Sequence, residues 1–194
     1  MYAVKNCSKF YGFTMQRSIE RAASRGEEKI FWMEFTHDKP AVIYGEHGID
    51  FNREYCRQNK IGIAPVGTSG GTIVHQQGNL TFIFLSHKNT GCTFNKQLQE
   101  TIADYLRTKG LNAQVTGNDI ILDGNKKVSG AGKMKRKNMW AHGLFIAMNS
   151  AENLVKNICY KPMKKIPAGL SDYGVNKEAI LNAALNFCNQ YEGD

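Results

Sequence analysis

The stretch Gly67–Leu85, "GTSGGTIVHQQGNLTFIFL", decides how this chain is read. Gly67, Gly70 and Gly71 fall within five residues, and the polar run His75-Gln76-Gln77-Gly78-Asn79 precedes an apolar segment. Glycine loses more conformational freedom on folding than any other residue, and His-Gln-Gln is poor core material. Such a stretch is either an awkward turn or backbone held open for something to lie against it. Gly70 and Gly71 let backbone N–H groups approach a ligand with no Cβ between them. Ser69 and Thr72 add hydroxyls, while His75 and Asn79 carry side chains able to hold the loop or the ligand.

Outward from this loop, the pattern alternates short strands with amphipathic helices. "GIAPV" leads into the loop as a strand and "NLTFIFL" leaves it as another. Upstream, 14–25 reads as a helix with Met15, Ile19, Ala22 and Ala23 on one side. "KIFWMEF" and "AVIYG" read as strands joined by "THDKP", and "FNREYCRQNK" as a short helix ending before Gly62. Downstream, Phe94, Leu98, Ile102 and Leu106 recur every four residues, marking a helix over 93–109 stopped at Gly110. "AQVTGNDIILDGNKKVSGAGK" reads as strand, turn, strand with Asp123-Gly124-Asn125 at a hairpin tip. "HGLFIAM" is a further strand, "AENLVKNIC" a helix capped by Ser150, and 177–191 a final helix. The expectation is an α+β fold with a mixed or antiparallel central sheet covered by helices, as one domain over 1–194.

Composition bounds the function. Hydrophobic residues make up 42% of 194, enough for a core without covalent staples. No run approaches the roughly 18 apolar residues needed to span a bilayer. The N-terminus has no apolar h-region, so a cytoplasmic protein without membrane association is expected. Cys7, Cys56, Cys92, Cys159 and Cys188 are scattered without a CxxC, which favours reduced thiols over disulfides or a zinc site. Net charge is +8, with six basic residues between Lys126 and Lys137 and others at Lys161, Lys164 and Lys165. That cluster is either a solvated face or an anion site for phosphates, nucleic acid or an acidic protein. Only Trp140 lies near the basic run, whereas single-strand binders interleave several aromatics, which argues against nucleic acid.

A second segment, "GNDIILDGNKKVSG" at 117–130, carries charge in a suggestive order. A Walker loop is excluded, because Gly132-Lys133 is followed by Met134, and no GxGxxG is present. Asn118-Asp119 is either an Asx turn or a carboxylate and amide oxygen suited to Mg²⁺ bridging phosphates. The hairpin tip folds Lys127 back towards Asn118 and Asp119, so that an ammonium and a carboxylate flank one place. Ser129-Gly130 follows Lys127-Val128, and His142-Gly143 opens the next strand.

Taken together, Ser69-Gly70-Gly71, His75, Gly78-Asn79, Asn118-Asp119, Lys127-Val128-Ser129-Gly130 and His142-Gly143 resemble the biotin and lipoate protein ligase superfamily. The order is most similar to the lipoate–protein ligase and octanoyl transferase branch, and the likeness runs over roughly 10–190, including "PAVIYG" and "AGLSDYG". The chain departs from that pattern at Gly67-Thr68, where many ligases carry Arg-Arg, and at Gln76, commonly acidic. Ala168 stands where one transferase group places its nucleophilic cysteine, leaving Cys92 and Cys159 as the thiols for a transferase reading.

The resemblance implies a class II synthetase-like catalytic domain without the small C-terminal accessory domain of many relatives. It implies ATP-dependent activation of lipoate or octanoate as an acyl-adenylate, and transfer to a lysine of a lipoyl-domain acceptor. That acceptor would be an E2 subunit or a glycine cleavage H-type protein, and a separate accessory subunit could take part. Lys127 would be the catalytic residue, and Asp119 with Asn118 would hold Mg²⁺. Ser69, Gly70, Gly71, Thr72, His75, Gly78, Asn79, Ser129, Gly130, His142 and Gly143 would bind substrate and acyl-adenylate. The alternatives are ATP-independent octanoyl transfer from an acyl carrier protein thioester, and a non-catalytic binding module.

Overall fold

The computed structural model describes residues 4–6, 13–46, 48, 50–65, 71–89, 93–160 and 163–192. In chain order the elements begin with β1 (Val4–Asn6), α1 (Phe13–Arg25), β2 (Lys29–Glu34), β3 (Ala41–Tyr44), α2 (Arg53–Gln58) and β4 (Gly62–Pro65). Next come β5 (Thr72–His75), β6 (Leu80–Ser86), α3 (Phe94–Thr108), β7 (Ala113–Thr116), β8 (Asp119–Leu122) and β9 (Lys126–Lys127). The chain continues with β10 (Ser129–Arg136), β11 (Met139–Ile146), α4 (Glu152–Ile158), β12 (Ile166–Pro167), a 3-10 turn at Leu170–Tyr173 and α5 (Lys177–Gln190).

The central sheet has five strands in the order β1-β2-β6-β11-β10, antiparallel except for the parallel pair β1 and β2. Its faces are covered separately. Leu80, Phe82 and Phe84 of β6 and Leu144 and Ile146 of β11 pack against Leu98, Ile102 and Leu106 of α3 and Ile180, Ala184 and Cys188 of α5. On the other face, Phe31, Ile83, Leu85 and Ala141 meet Met15, Ile19, Ala22 and Ala23 of α1. Two-sided burial is why "TFIFL" is almost continuously apolar rather than alternating. The α+β class with a mixed, helix-covered sheet is therefore the one expected.

The hairpin segments form a second sheet, β12-β9-β8-β7, and the strands around the glycine loop a third, β4-β3-β5. The sequence pattern makes 126–133 one strand beyond the hairpin tip. The structure breaks it at Val128, which is wholly buried, and passes the chain from the second sheet into the first. Residues 72–75, read as loop, form β5 against β3, because Val74 packs on Val42 and Phe51 in a third core.

Helix ends follow local chemistry. Gly110 takes φ +80°, and Leu111 N–H reaches back to the Leu106 carbonyl at 3.2 Å, closing α3 where expected. Asn52 and Asn176 cap α2 and α5 through their side-chain oxygens, at 2.9 Å and 2.7 Å. The N-cap of α4 is Ala151 rather than the expected Ser150, which stands one residue upstream with its Oγ accepting from Glu152 N–H at 3.2 Å. No helix among the described residues is long and apolar enough to cross a membrane.

Candidate active site

The polar run after β5 is a clasp. Gly78, at φ +85°, turns the chain, and its N–H donates to the Phe35 carbonyl at 2.7 Å. Asn79 is wholly buried, and its Oδ1 accepts from Met148 N–H at 2.8 Å and Asn149 N–H at 3.0 Å. Gln76 Nε2 donates to the Ser150 carbonyl, and Asn149 Nδ2 to the Gln77 carbonyl. This run was grouped with the ligand-binding residues by sequence. In the fold, Gly78 is tied to Phe35 at the end of β2, and the Asn79 side-chain oxygen satisfies the backbone that follows β11.

His75 is likewise turned inward. Its ring is 1% exposed, edge-on to Phe145 at 4.6 Å between centroids and tilted against Phe35 at 5.5 Å. Burial pushes its pKa down to about 3, so it is a neutral, packed imidazole. Ser69 and Gly70 lie outside the described residues. Gly71 is exposed, and its carbonyl accepts from Gly45 N–H at 3.1 Å. Among the described residues, nothing would lie within 4 Å of a Cβ at Gly71. Thr72, half-buried, sits opposite Tyr44 of β3.

The charged site forms where β8 and β9 meet β10. The tip at Asp123 and Gly124, both at positive φ, returns the chain so that Ile121 pairs with Lys127. Lys127 Nζ then lies 2.8 Å from Asp119 Oδ1, the juxtaposition the hairpin reading anticipated. Asp119 is 9% exposed. Gly130 provides the space beneath: a Cβ there would lie 3.6 Å from Lys127 Nζ and 3.9 Å from Asp119 Oδ1. Ser129 faces away, buried, with Oγ accepting from Ile120 N–H at 2.7 Å and from Gln99 Nε2 at 3.4 Å. It holds the two sheets together rather than offering its hydroxyl to a ligand. Asn118 is exposed, and its carbonyl accepts from Ala131 N–H at 2.8 Å.

Sequence reading missed a second lysine. Lys165 Nζ lies 2.6 Å from Asp119 Oδ2, because β12 runs parallel to β9 with Ile166 opposite Lys126. No local pattern signals a contact across 46 residues. Gly169 was also missed: a Cβ there would fall 2.3 Å from Ser150 N and 2.7 Å from the Met148 carbonyl oxygen. The "AGL" element thus locks against the same 148–150 segment that the polar clasp grips.

Beyond Gly130, strand alternation puts Gly132 on the same face, and Gly143 is in register with Gly132 and Ile83. A Cβ at Gly143 would touch Ile83 Cγ1 at 3.7 Å. Three glycines therefore leave the α1-facing side of β10 and β11 thin next to Lys127. His142, on the opposite face, is 5% exposed, and its Nε2 lies 2.9 Å from the Lys88 carbonyl oxygen, which makes that nitrogen the protonated donor. Of the basic cluster, Lys133 donates to Asn89 Oδ1 at 3.1 Å and lies over the Trp140 ring. Arg136 and Lys137 instead join Arg17 and Arg21 along an open groove beside α1.

The donor set suits anions better than a metal cage. Among the described residues no three His, Cys, Asp or Glu side chains converge on a metal position. Asp119 is a single carboxylate with a lysine on each oxygen, so a Mg²⁺ here would draw most ligands from phosphates and water. The described cysteines are poor nucleophiles. Burial raises the thiols of Cys56, Cys159 and Cys188, the last to about 12. Cys7 and Cys92 lie outside the described residues.

The family model for the lipoyl protein ligase A/B catalytic domain matches residues 9–182. Lipoate–protein ligase 1 of Staphylococcus aureus is 30% identical over 77% of this chain and 45% of its own length, so the chain spans less than half of that relative. A bi-partite lipoate protein ligase from Thermoplasma acidophilum, described with its E2 lipoyl domain, superposes with a TM-score of 0.75 at 20% identity, covering 97% of this chain and 83% of that one. A lipoate-protein ligase A bound with ATP gives 0.73 at 20% identity, covering 97% and 85%. At that identity the structures establish a shared fold. The motif order, its assembly around one hairpin and the family match over most of the sequence converge: the chain belongs to the lipoyl protein ligase A/B catalytic-domain family.

Proposed function

We propose that residues 1–194 form one catalytic unit that activates lipoate or octanoate with ATP and transfers the acyl group to a lysine of a lipoyl-domain acceptor. The observation that carries this reading is the Lys127–Asp119 pair at 2.8 Å, seated on the bare backbone of Gly130. A carboxylate is a poor electrophile, so one of its oxygens attacks the α-phosphorus of ATP and pyrophosphate leaves. The acceptor amine then attacks the acyl carbon, the acyl C–O bond breaks, AMP leaves and the amine loses its proton.

Lys127 serves both halves. Its ammonium, one-third exposed and aimed over Gly130, donates to the oxygens on which negative charge grows. It also favours the neutral form of an incoming lysine, whose free pKa is about 10.4. The strip of Gly130, Gly132 and Gly143 would set no side chain against an acyl chain, and exposed Gly71 would present bare backbone at the start of β5. Asp119, with the Asn118 amide, would hold Mg²⁺, which when bound neutralises phosphate charge. The names of the relatives, which specify lipoate, ATP and an E2 lipoyl domain, support the substrate and partner classes.

ATP–pyrophosphate exchange with lipoate, octanoate and biotin offered separately tests the first half. Mass shift of an apo lipoyl domain, with and without an accessory polypeptide, tests the second. Exchange with lipoate or octanoate is expected. Absence of exchange with every acid, together with acyl transfer from an acyl carrier protein thioester, would replace this reading by the transferase.

A further inference from the structure

Asp119 carries one lysine on each oxygen, Lys127 at 2.8 Å and Lys165 at 2.6 Å, so two positive charges share one negative charge. The two lysines are held differently. Lys127 reaches Asp119 by its own side chain, which lies over Gly130 with Cε and Nζ each 3.6 Å from where a Cβ there would be. Lys165 leads into a strap whose backbone is tied at successive points. Ile166 N–H donates to Asn125 at 3.0 Å, Ala168 N–H to Lys127 at 2.9 Å, and Leu170 N–H to Ala147 at 3.0 Å. Gly169, in the middle of that strap, has no room for even a methyl group.

To reach a phosphate or an acyl oxygen, Lys127 must leave Asp119. The Asp119 side chain is only 12% exposed, and a carboxylate left alone with so little water is costly. With Lys165 on Oδ2, Oδ1 can release Lys127 without stranding a buried charge. The site also keeps one positive charge in excess, which attracts an entering anion. Resting on the ligase reading above, we infer that Lys165 is a positioning residue. It holds Asp119 as a standing counter-charge so that Lys127 is free to turn to the acyl-adenylate. Lys165 itself does not touch the reacting atoms.

The test uses an acyl-adenylate mimic in which a sulfamate replaces the phosphate. Its binding is measured by calorimetry to the wild type, Lys165→Met, Lys165→Arg, Lys127→Ala and the Lys127→Ala/Lys165→Met double variant. Exchange kinetics and thermal midpoints are recorded alongside. Lys165→Met is expected to weaken binding about tenfold and to lower kcat for exchange more than it raises the KM for ATP. Lys165→Arg should recover to within about threefold. In the Lys127→Ala background the second substitution should add nothing to the binding loss. The thermal midpoint should move little in Lys165→Met, where Asp119 keeps Lys127, and fall in the double variant, which leaves the nearly buried carboxylate uncompensated. Wild-type binding in Lys165→Met would overturn the inference. So would a further loss in the double variant, because Lys165 would then contact the ligand directly. A wild type that neither binds the mimic nor exchanges pyrophosphate would remove the ligase reading, and this inference with it.

Discussion

Lys127 and Asp119, eight residues apart, meet at 2.8 Å because a hairpin with two left-handed residues at its tip folds one strand onto the next. The pair is only partly exposed on the lysine side and nearly buried on the aspartate side, which separates catalytic from structural consequences.

Lys127→Ala should lower pyrophosphate exchange and acyl transfer by roughly 10²–10³-fold, the loss seen when a transition-state hydrogen-bond donor is removed. Stability should change by less than about 1 kcal/mol, because Asp119 keeps Lys165. Near-normal turnover, measured under saturating ATP, would end the proposed role.

Gly169→Ala should be among the most destabilising single changes in the chain. The added methyl would meet three backbone atoms at 2.3–2.7 Å, and backbone cannot swing aside as a side chain can. Overpacking commonly costs 1–3 kcal/mol, and about 3 kcal/mol or more is expected here. The urea midpoint reads this directly; an unshifted midpoint would mean that the 148–150 segment yields.

Gly71→Val separates a ligand wall from a turn. Gly71 is exposed and no described residue lies within 4 Å of a Cβ there, so stability should stay within about 0.5 kcal/mol of wild type. Calorimetric affinity for the acyl ligand should fall about tenfold, equivalent to about 1.4 kcal/mol. Unchanged affinity would make the loop a turn and nothing more.

His75 gives a pH dependence with a definite sign. Its folded pKa is pushed down to about 3 by burial, against an ordinary value of 6.5. The unfolded chain therefore takes up this proton first as pH falls, and the contribution to stability is complete above about 6.5 and lost between there and about 3. The loss approaches about 1.4 kcal/mol per pH unit within that window. Urea midpoints of the wild type and His75→Leu, compared at pH 7 and pH 5, should diverge, with the wild type falling more steeply. Parallel curves would place a charged or solvated imidazole at this position.

The relation between sequence and structure differs from element to element. The four-residue spacing of Phe94, Leu98, Ile102 and Leu106, with Gly110 behind it, was enough to place α3, because helix periodicity and capping act within a few residues. The return of Lys127 to Asp119 was legible for the same reason: a turn and two short strands carry the whole geometry. The polar clasp is visible in the sequence as an anomaly, but its partners are not. Asn79 is bound to Met148 and Asn149, about 70 residues away, and no local rule distinguishes a side chain that seeks a ligand from one that seeks distant backbone.

Lys165 and Gly169 mark the limit most clearly. Lysine beside Asp119, and a glycine pressed on Ser150, arise only when β12 docks along β9 and the strap closes on the end of β11. Local backbone preference and hydrophobic period are written into neighbouring residues, so the chain alone specified its helices, most strands and the hairpin that builds half of the charged site. Which carboxylate receives the second lysine, and which glycine has no substitute, depends on segments far apart in sequence packing at van der Waals distance, where shape and charge are settled by the assembled core.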